Sequence, residues 1–241
     1  MNRFESFTTW YRTVIAAVFG VFAAVVNDYL AQATIGSPIR LVILSVTLIL
    51  LLRASETALQ ILLTHWTWLR KRVFGRWNIE GWWADVTYDR ATKEVLFGSL
   101  SRFRYESGQI IARGDSFDSD GRIFGTFIMR TTEYEEHELK YGFEWRLDES
   151  ALSDSESARK GLTELKGYGE LRFSAVEAQP RNYLGFFIDT GYRTPLFFQG
   201  ELITDAATRK ELDNQIAKKE FMRARIEQFA KDQGYTIRAS R

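Results

Sequence analysis

Two apolar runs near the N-terminus constrain this chain more than any other feature. Val14–Val26 and Leu41–Leu52 contain no charged residue, and the turn Ala33–Pro38, which includes Gly and Pro, lies between them. A helix rises about 1.5 Å per residue, so the first run reaches across the roughly 30 Å apolar core of a bilayer only when it is counted over Trp10–Leu30. The two runs therefore predict a transmembrane helical hairpin.

Two other interpretations of these runs are compatible with the sequence. One is a pair of buried core helices. The other is a cleaved signal peptide, with Arg3 as its basic start and Ala31–Ala33 as a small-x-small cleavage site. The loop Ala31–Pro38 has no basic residue, whereas several basic residues follow the second run. The positive-inside rule therefore predicts that the C-terminal region is cytoplasmic, and the basic residues concerned are Arg70, Lys71, Arg72 and Arg76.

The second helix is predicted to continue well beyond its apolar run. No Gly or Pro interrupts Ile39–Val73, and its apolar residues keep helical spacing. If the bilayer ends near Arg53, the remainder is an amphipathic stalk. If Trp66 and Trp68 mark the interface, Arg53 and Glu56 lie inside the membrane at i, i+3, where they can pair and line a pore in an oligomer.

The hydrophobic period changes to two from Trp77 onward, which is typical of half-buried strands. Eight such segments follow one another with turn signals between them, and no helix-length segment interrupts the series. This pattern predicts an all-β domain, an eight-stranded antiparallel up-and-down β-barrel. The predicted strands are Ile79–Tyr88, Val95–Tyr105, Ile110–Phe117, Ile123–Thr131, Leu139–Leu147, Leu165–Ser174, Tyr183–Asp189 and Pro195–Ile203.

Alternation within the strands assigns an apolar inside to the barrel. In Leu139–Leu147, Tyr141 and Trp145 fall on the inner face, opposite Lys140 and Glu144. An eight-stranded barrel is just wide enough to fill itself or to hold one small ligand, and both outcomes are compatible with the pattern. Some of the inward positions hold small residues, which indicates free space: Ser99, Ser101, Gly169 and Gly200.

The last segment predicts a charged helix over Asp205–Lys231. Asp205 can cap its start and Gly234 can end it. Its incomplete apolar stripe is typical of a surface or self-association helix and consists of Ile216, Phe221, Ile226 and Phe229. Together these features divide the chain into a first transmembrane helix and turn, a second helix and stalk, a cytosolic barrel, and a C-terminal helix and tail, over residues 1–38, 39–76, 77–204 and 205–241.

Composition disfavours several function classes. The 32 Lys and Arg nearly balance the 31 Asp and Glu, which argues against a partner such as a nucleic-acid polymer. The chain has no cysteine, and its two histidines, His65 and His137, belong to different segments. No Ser-His-Asp set, metal cluster, P-loop or Gly-x-Gly-x-x-Gly motif can be assembled. We therefore expect a protein that is not an enzyme and has no metal or cofactor.

Arginines and tyrosines are interspersed along the predicted barrel, which indicates a binding function. Arg forks grip phosphates, aromatic faces stack on bases, and the near-zero net charge favours a small nucleotide over a polymer. The candidate contacts are Tyr105, Tyr141 and Trp145 for stacking, with Arg113 and Arg130 for phosphate. The interspersed residues are Arg102, Arg104, Arg113, Arg130, Arg172, Arg181 and Arg193 with Tyr88, Tyr105, Tyr141, Tyr168, Tyr183 and Tyr192.

The order of elements resembles that of a known group of proteins. Two N-terminal transmembrane helices precede a β-rich region that contains Gly81–Trp83, Gly167–Phe173 and Tyr183–Phe187. In this arrangement the chain is similar to the two-transmembrane, β-strand-rich effectors of bacterial anti-phage signalling, of the CBASS type and its relatives. The resemblance covers about Val14–Ile203, and the helix after Asp205 is an addition to the minimal plan of that family.

The resemblance implies a function for each part of the chain. The barrel of such an effector senses a cyclic di- or oligonucleotide, the ligand controls homo-oligomerisation, and the transmembrane helices disrupt the inner membrane, which causes cell death or growth arrest. The implied partners are a cyclic nucleotide, the lipid bilayer and a functionally paired nucleotidyltransferase or cyclase. The alternatives are a membrane-tethered, lipocalin-like binding protein for an apolar ligand and a scaffold without a ligand.

Overall fold

The chain forms two compact units, Met1–Gly75 and Arg76–Arg241. The computed structural model describes residues 3–32, 36–75, 78–106, 109–135, 137–148, 164–174, 180–190 and 194–238. Arg76, Tyr192 and Arg193, together with much of the turn between the fifth and sixth strands, lie outside the described residues.

The first unit contains three helices: α1 (Arg3–Gln32), α2 (Ser37–His65) and α3 (Thr67–Phe74). Pro38 in the first turn of α2 suits a helix start, because the N–H that proline lacks has no partner there. Residues from near the start of α1 contact residues from the second half of α2, so these two helices are antiparallel. Both are long and apolar enough to cross a membrane, which confirms the predicted pair of apolar helices.

The prediction of one continuous helix over Ile39–Val73 is wrong at Trp66. Its backbone is extended there, with φ −103° and ψ 91°, and this residue separates α2 from α3. Arg70 reaches back across the break: its Nη1 donates to the carbonyl oxygens of Leu63 at 2.5 Å and Thr64 at 2.7 Å. The last carbonyl groups of a helix have no hydrogen-bond partner within that helix, and the bonds from Arg70 satisfy two of them.

The second unit contains the predicted barrel. Each strand pairs antiparallel with the next, and β1 also pairs with β8, so the sheet closes on itself. The up-and-down, eight-stranded prediction is confirmed, with strand bounds within three residues of the predicted ones for all but the fourth strand, which is longer. The strands are β1 (Gly81–Asp89), β2 (Glu94–Glu106), β3 (Gln109–Phe117), β4 (Ile123–Glu135), β5 (Glu138–Leu147), β6 (Glu164–Phe173), β7 (Asn182–Asp189) and β8 (Leu196–Leu202).

The C-terminal segment forms two helices where the sequence predicts one. Asp205 caps α4 (Ala206–Glu211) by accepting from the Thr208 N–H at 2.6 Å. Asn214 caps α5 (Gln215–Gln233) by accepting from the Ile216 N–H at 2.8 Å. Gly234 ends α5 in the left-handed conformation, as predicted, with φ 66°. A short strand that the sequence analysis missed, β9 (Thr236–Ile237), then pairs parallel with β2.

Helix α5 packs on the outer wall of β1 and β2. Met222 and Ile226 are fully buried there, against a floor that includes Val86 and Leu100. Gly98 on β2 leaves the space for this approach, because a Cβ at that position would lie 2.7 Å from Met222 Cε. The helix therefore covers an apolar strip of the outer barrel wall that would otherwise face water.

Candidate functional site

The barrel interior holds three of the predicted ligand contacts. Tyr105, Tyr141 and Trp145 are all buried, which agrees with their assignment to the inner face. Tyr141 and Trp145 line an internal cavity of about 60 Å³, whereas Tyr105 is not among its lining residues. The Trp145 ring packs against Phe97 at 5.4 Å and Phe124 at 5.6 Å between ring centres.

The cavity is too small for a nucleotide. Sites that hold drug-sized ligands measure about 300–1,000 Å³, several times the volume available here. Two of the small residues that indicated free space lie beneath aromatic rings of the neighbouring strand. Tyr141 covers Gly169, and Tyr183 covers Gly200. The interior is therefore mostly packed, and the small inward residues accommodate rings.

The middle of the interior contains a buried carboxylate. Asp85 on β1 accepts a hydrogen bond from the Tyr183 hydroxyl at 3.0 Å and also contacts the Ser99 side chain. Burial raises the pKa of Asp85 from 3.8 to about 7, although both hydrogen bonds favour its charged form. Burial, followed by the nearby Asp85 charge, raises the pKa values of Tyr141 and Tyr183. The sequence analysis missed Asp85, which stands out only as an acidic residue at an inward position.

The predicted phosphate contacts lie on the outer surface of the barrel wall. Arg113 and Arg130 are exposed and point away from the interior, so the five predicted ligand contacts do not form one site. Both arginines line a groove of about 620 Å³ on the outer surface of β2 to β5, here called the basic groove. Its charged and aromatic lining residues are Trp82, Arg102, Arg104, Arg113, Asp115, Phe127, Arg130, Glu144, Arg146 and Lys218.

Strand register arranges the basic groove. Arg102 on β2 is the direct cross-strand partner of Arg113 on β3, and Trp82 on β1 is the partner of Arg102 on its other side. Arg104 and Arg130 lie in the neighbouring row. Ile111 on β3 lies between them and is the cross-strand partner of both. Four guanidinium groups thus occupy two adjacent rows of one continuous surface.

Trp82 provides an aromatic surface within the basic groove. The Arg102 guanidinium carbon lies 5.5 Å from the centre of its ring, and Lys218 Nζ from α5 lies 5.8 Å from it. Partial burial, reinforced by the charge of Arg104, lowers the pKa of Arg102. The C-terminal helix therefore contributes a cation to a site that is otherwise built by the barrel.

Acidic neighbours partly neutralise the basic groove. Arg113 Nη1 lies 2.7 Å from Glu106, Arg130 Nη1 lies 3.9 Å from Glu144, and Lys218 Nζ lies 3.0 Å from Asp115. The first two pairs are solvent-exposed, and exposed pairs contribute only about 0–1 kcal/mol. A multivalent anion can therefore displace them at low cost. Among the described residues that line the groove, six basic side chains face two acidic ones.

A charged cluster joins the two apolar helices. Glu56 of α2 lies 3.2 Å from Arg12 of α1 and 3.9 Å from Arg53, its neighbour one turn earlier. The Tyr11 hydroxyl donates to the Ser55 carbonyl oxygen at 2.9 Å beside it. The apolar parts of both helices lie on the same side of this cluster. The role of Arg53 and Glu56 in a pore stays a prediction, and Arg12 is the additional partner that the sequence analysis did not assign.

No candidate metal site appears in the described part of the chain, where no group of three or more His, Asp or Glu residues converges. In the three comparisons with known proteins, no family model, curated protein or solved structure matches the chain.

Proposed function

We propose that this protein is a membrane-anchored effector whose barrel binds a cyclic di- or oligonucleotide in the basic groove. The bound nucleotide controls association of the chains and disruption of the inner membrane by the apolar helices. The bacterial defence role rests on the resemblance in element order, and the nucleotide rests on the chemistry of the groove.

The direct opposition of Arg102 and Arg113 is the observation that carries the proposal. Like charges on cross-strand partners destabilise a sheet, and Arg104 and Arg130 add two more cations in the next row. Glu106 and Glu144 offset only part of this repulsion, because their ion pairs with Arg113 and Arg130 are solvent-exposed. A ligand with two or more phosphates neutralises it, because each guanidinium can donate two parallel hydrogen bonds to phosphate oxygens.

The dimensions of the basic groove also suit a nucleotide. Its volume of about 620 Å³ falls within the range of small-molecule sites, about 300–1,000 Å³. Trp82 provides a face on which a base can stack beside the arginines, and base–aromatic stacking contributes about 1–3 kcal/mol per base. The interior cavity of about 60 Å³ offers no comparable space, which disfavours the alternative of a lipocalin-like carrier.

Calorimetric titration of the full-length protein in lipid nanodiscs tests the proposal. The titrants are a panel of cyclic di- and trinucleotides, each at two salt concentrations. We expect one nucleotide to bind with an affinity that falls as salt increases, because arginine–phosphate contacts are screened. Arg102→Ala and Arg113→Ala should each weaken binding about 10- to 100-fold, since a hydrogen bond to a charged group contributes about 1.5–3 kcal/mol.

Arg172→Ala is the matched control for these variants. Arg172 is an exposed arginine on β6 that pairs with Glu138 and Glu170, outside the basic groove. Its removal should leave the nucleotide affinity unchanged. Equal loss of affinity in all three variants, or binding that is insensitive to salt, would contradict a phosphate site in the groove. A fatty acid is titrated in the same way. Binding of the fatty acid but of no nucleotide would support the lipocalin-like carrier, and binding of neither would leave a scaffold without a ligand as the remaining alternative.

Dye leakage from anionic liposomes tests the link to the membrane. Full-length protein should change its leakage rate when the bound nucleotide is added, and Arg102→Ala should reduce that response. Coexpression with a nucleotidyltransferase or cyclase that makes the nucleotide should change bacterial growth in the same direction. Leakage that ignores the nucleotide in either direction would separate the barrel from the membrane helices and end the effector proposal.

A further inference from the structure

Among the described residues, no basic side chain pairs with Asp85, a carboxylate of the barrel interior that lies beside a cavity. Asp85 is only 6% exposed and lines the cavity together with the hydroxyls of Thr87, Ser99 and Ser116. Among the described residues that line this space, Asp85 is the one acidic or basic side chain. A buried charge is stable only when it is paired, so a cation in the cavity would stabilise the charged form of Asp85.

Aromatic rings form most of the remaining cavity wall. Phe97, Tyr141, Phe143, Trp145 and Phe187 all line it, and contacts between them hold the rings in place. Phe143 and Phe187 meet edge to face at 5.6 Å between ring centres, and Tyr141 and Phe143 lie 6.1 Å apart. Ring faces attract cations, and a cage of aromatic side chains is a common site for organic ammonium ions.

The cavity volume limits the size of the occupant. A single water needs about 10–15 Å³ of cavity volume, so a cavity of about 60 Å³ holds a molecule of only a few heavy atoms. The three hydroxyls can accept hydrogen bonds from N–H groups. A primary ammonium therefore matches the lining better than a quaternary one, which has no N–H to donate.

We propose that the barrel interior binds a small primary alkylammonium ion, with Asp85 as its counter-ion and the aromatic rings as its cage. This site is independent of the basic groove, which lies on the outer surface of the same wall. Neither proposal depends on the other, and a failure of nucleotide binding leaves the interior site as it stands.

The protonation of Asp85 makes the site sensitive to pH. A cation binds best to the charged carboxylate. The pKa of Asp85 is about 7, so this carboxyl group is mostly protonated at pH 6 when the site is empty. The other titratable groups that face Asp85 in the described structure are Tyr141 and Tyr183, which stay neutral in this range. Binding at pH 6 should therefore release a proton, and affinity should be about tenfold weaker at pH 6 than at pH 8.

Calorimetry of the full-length protein in nanodiscs, with methylammonium and ethylammonium chloride as titrants and sodium chloride as the reference, tests this site. We expect saturable one-to-one binding of an alkylammonium ion at pH 8 and its loss in Asp85→Asn. Ser116→Val, which fills the cavity and keeps the carboxylate, should also abolish binding. Glu227→Gln, on the exposed side of α5, is the control and should bind like the unmodified protein.

Near-UV circular dichroism of each variant establishes that the barrel is folded. Equal binding by the unmodified protein and Asp85→Asn would overturn the proposal, because a site without its counter-ion would then be sufficient. Absence of alkylammonium binding at pH 8, or an affinity that does not change between pH 6 and pH 8, would overturn it as well.

Discussion

At the residue scale, two glycines explain why an interior with small side chains is nevertheless packed. A Cβ at Gly169 would lie 2.3 Å from Tyr141 Oη, and a Cβ at Gly200 would lie 2.1 Å from Tyr183 Cζ. Each glycine is the direct cross-strand partner of the tyrosine that covers it. Large rings thus fill the space that glycine leaves, a pairing that also fixes strand register.

The buried Asp85 leads to a prediction about stability and pH. Its pKa is 3.8 when unperturbed and about 7 in the folded protein, so between about pH 4 and pH 7 the folded chain holds a proton that the unfolded chain has lost. The contribution of this group to stability is therefore greatest below pH 4, declines as pH rises through 7 and is absent above it. A neutral asparagine at this position removes the decline.

We expect the stability of Asp85→Asn relative to the unmodified protein to rise by on the order of 4 kcal/mol between pH 4 and pH 8. Denaturant unfolding of both full-length proteins in detergent, followed by near-UV circular dichroism, measures this difference. All other titrating groups are shared, so their contributions cancel. Parallel pH profiles for the two proteins would show that Asp85 keeps an ordinary pKa when folded.

At the element scale, α5 is part of the barrel's structure and not a detached surface helix. Its apolar stripe is only partly the predicted one, because Ile226 and Phe229 are buried whereas Ile216 is exposed. Phe229 packs against Tyr88 and Tyr235, with ring centres 5.4 and 6.1 Å away. The outward residues of β1 are apolar because they face this helix and not water.

The helix provides a matched pair of substitutions. Ile226→Ala should destabilise the protein by about 2–5 kcal/mol, because Ile226 is fully buried between α5 and the barrel wall. Ile216→Ala, on the same helix but 67% exposed, should change the free energy of unfolding by no more than about 0.5 kcal/mol. Thermal and denaturant unfolding of the full-length variants measures both. Similar effects of the two changes would mean that α5 does not pack as described.

At the scale of the whole molecule, the chain joins an apolar helical unit to a closed barrel. Two helices are long and apolar enough to cross a membrane, and within the described residues the eight strands of the barrel close into a ring, with β9 added beside β2. Closure leaves no long row of unpaired backbone groups for unintended strand pairing. Association of chains, as the effector proposal requires, therefore has to use side-chain surfaces or the apolar helices.

The orientation of this assembly is a prediction for the whole chain. Basic residues follow α2, and none occurs in the loop between the two apolar helices, so we expect both termini in the cytoplasm. Alkaline phosphatase fused at Arg241 should be inactive in bacteria, and a fluorescent protein fused there should fluoresce. A third fusion, in the loop near Gly36, should report the opposite side. Phosphatase activity at Arg241 would contradict the predicted cytoplasmic location of the barrel.

The sequence by itself determined the apolar helices and the number, order and approximate bounds of the eight strands. These features depend on local signals: uncharged runs, alternation with a period of two, and turn residues between strands. The helix caps Asp205 and Gly234 are also local signals, because each acts only on the helix end beside it.

Only the tertiary structure decided which residues meet. Arg113 and Arg130 face outward because of the register of β3 and β4, and a shift of one residue would have placed them inside with Tyr141. The break at Trp66 is bridged by Arg70, which reaches back to the end of α2, and no Gly or Pro marks it in the sequence. The basic groove likewise needs Lys218 from a helix that follows the barrel in sequence, because contacts between distant segments leave no local pattern in the chain.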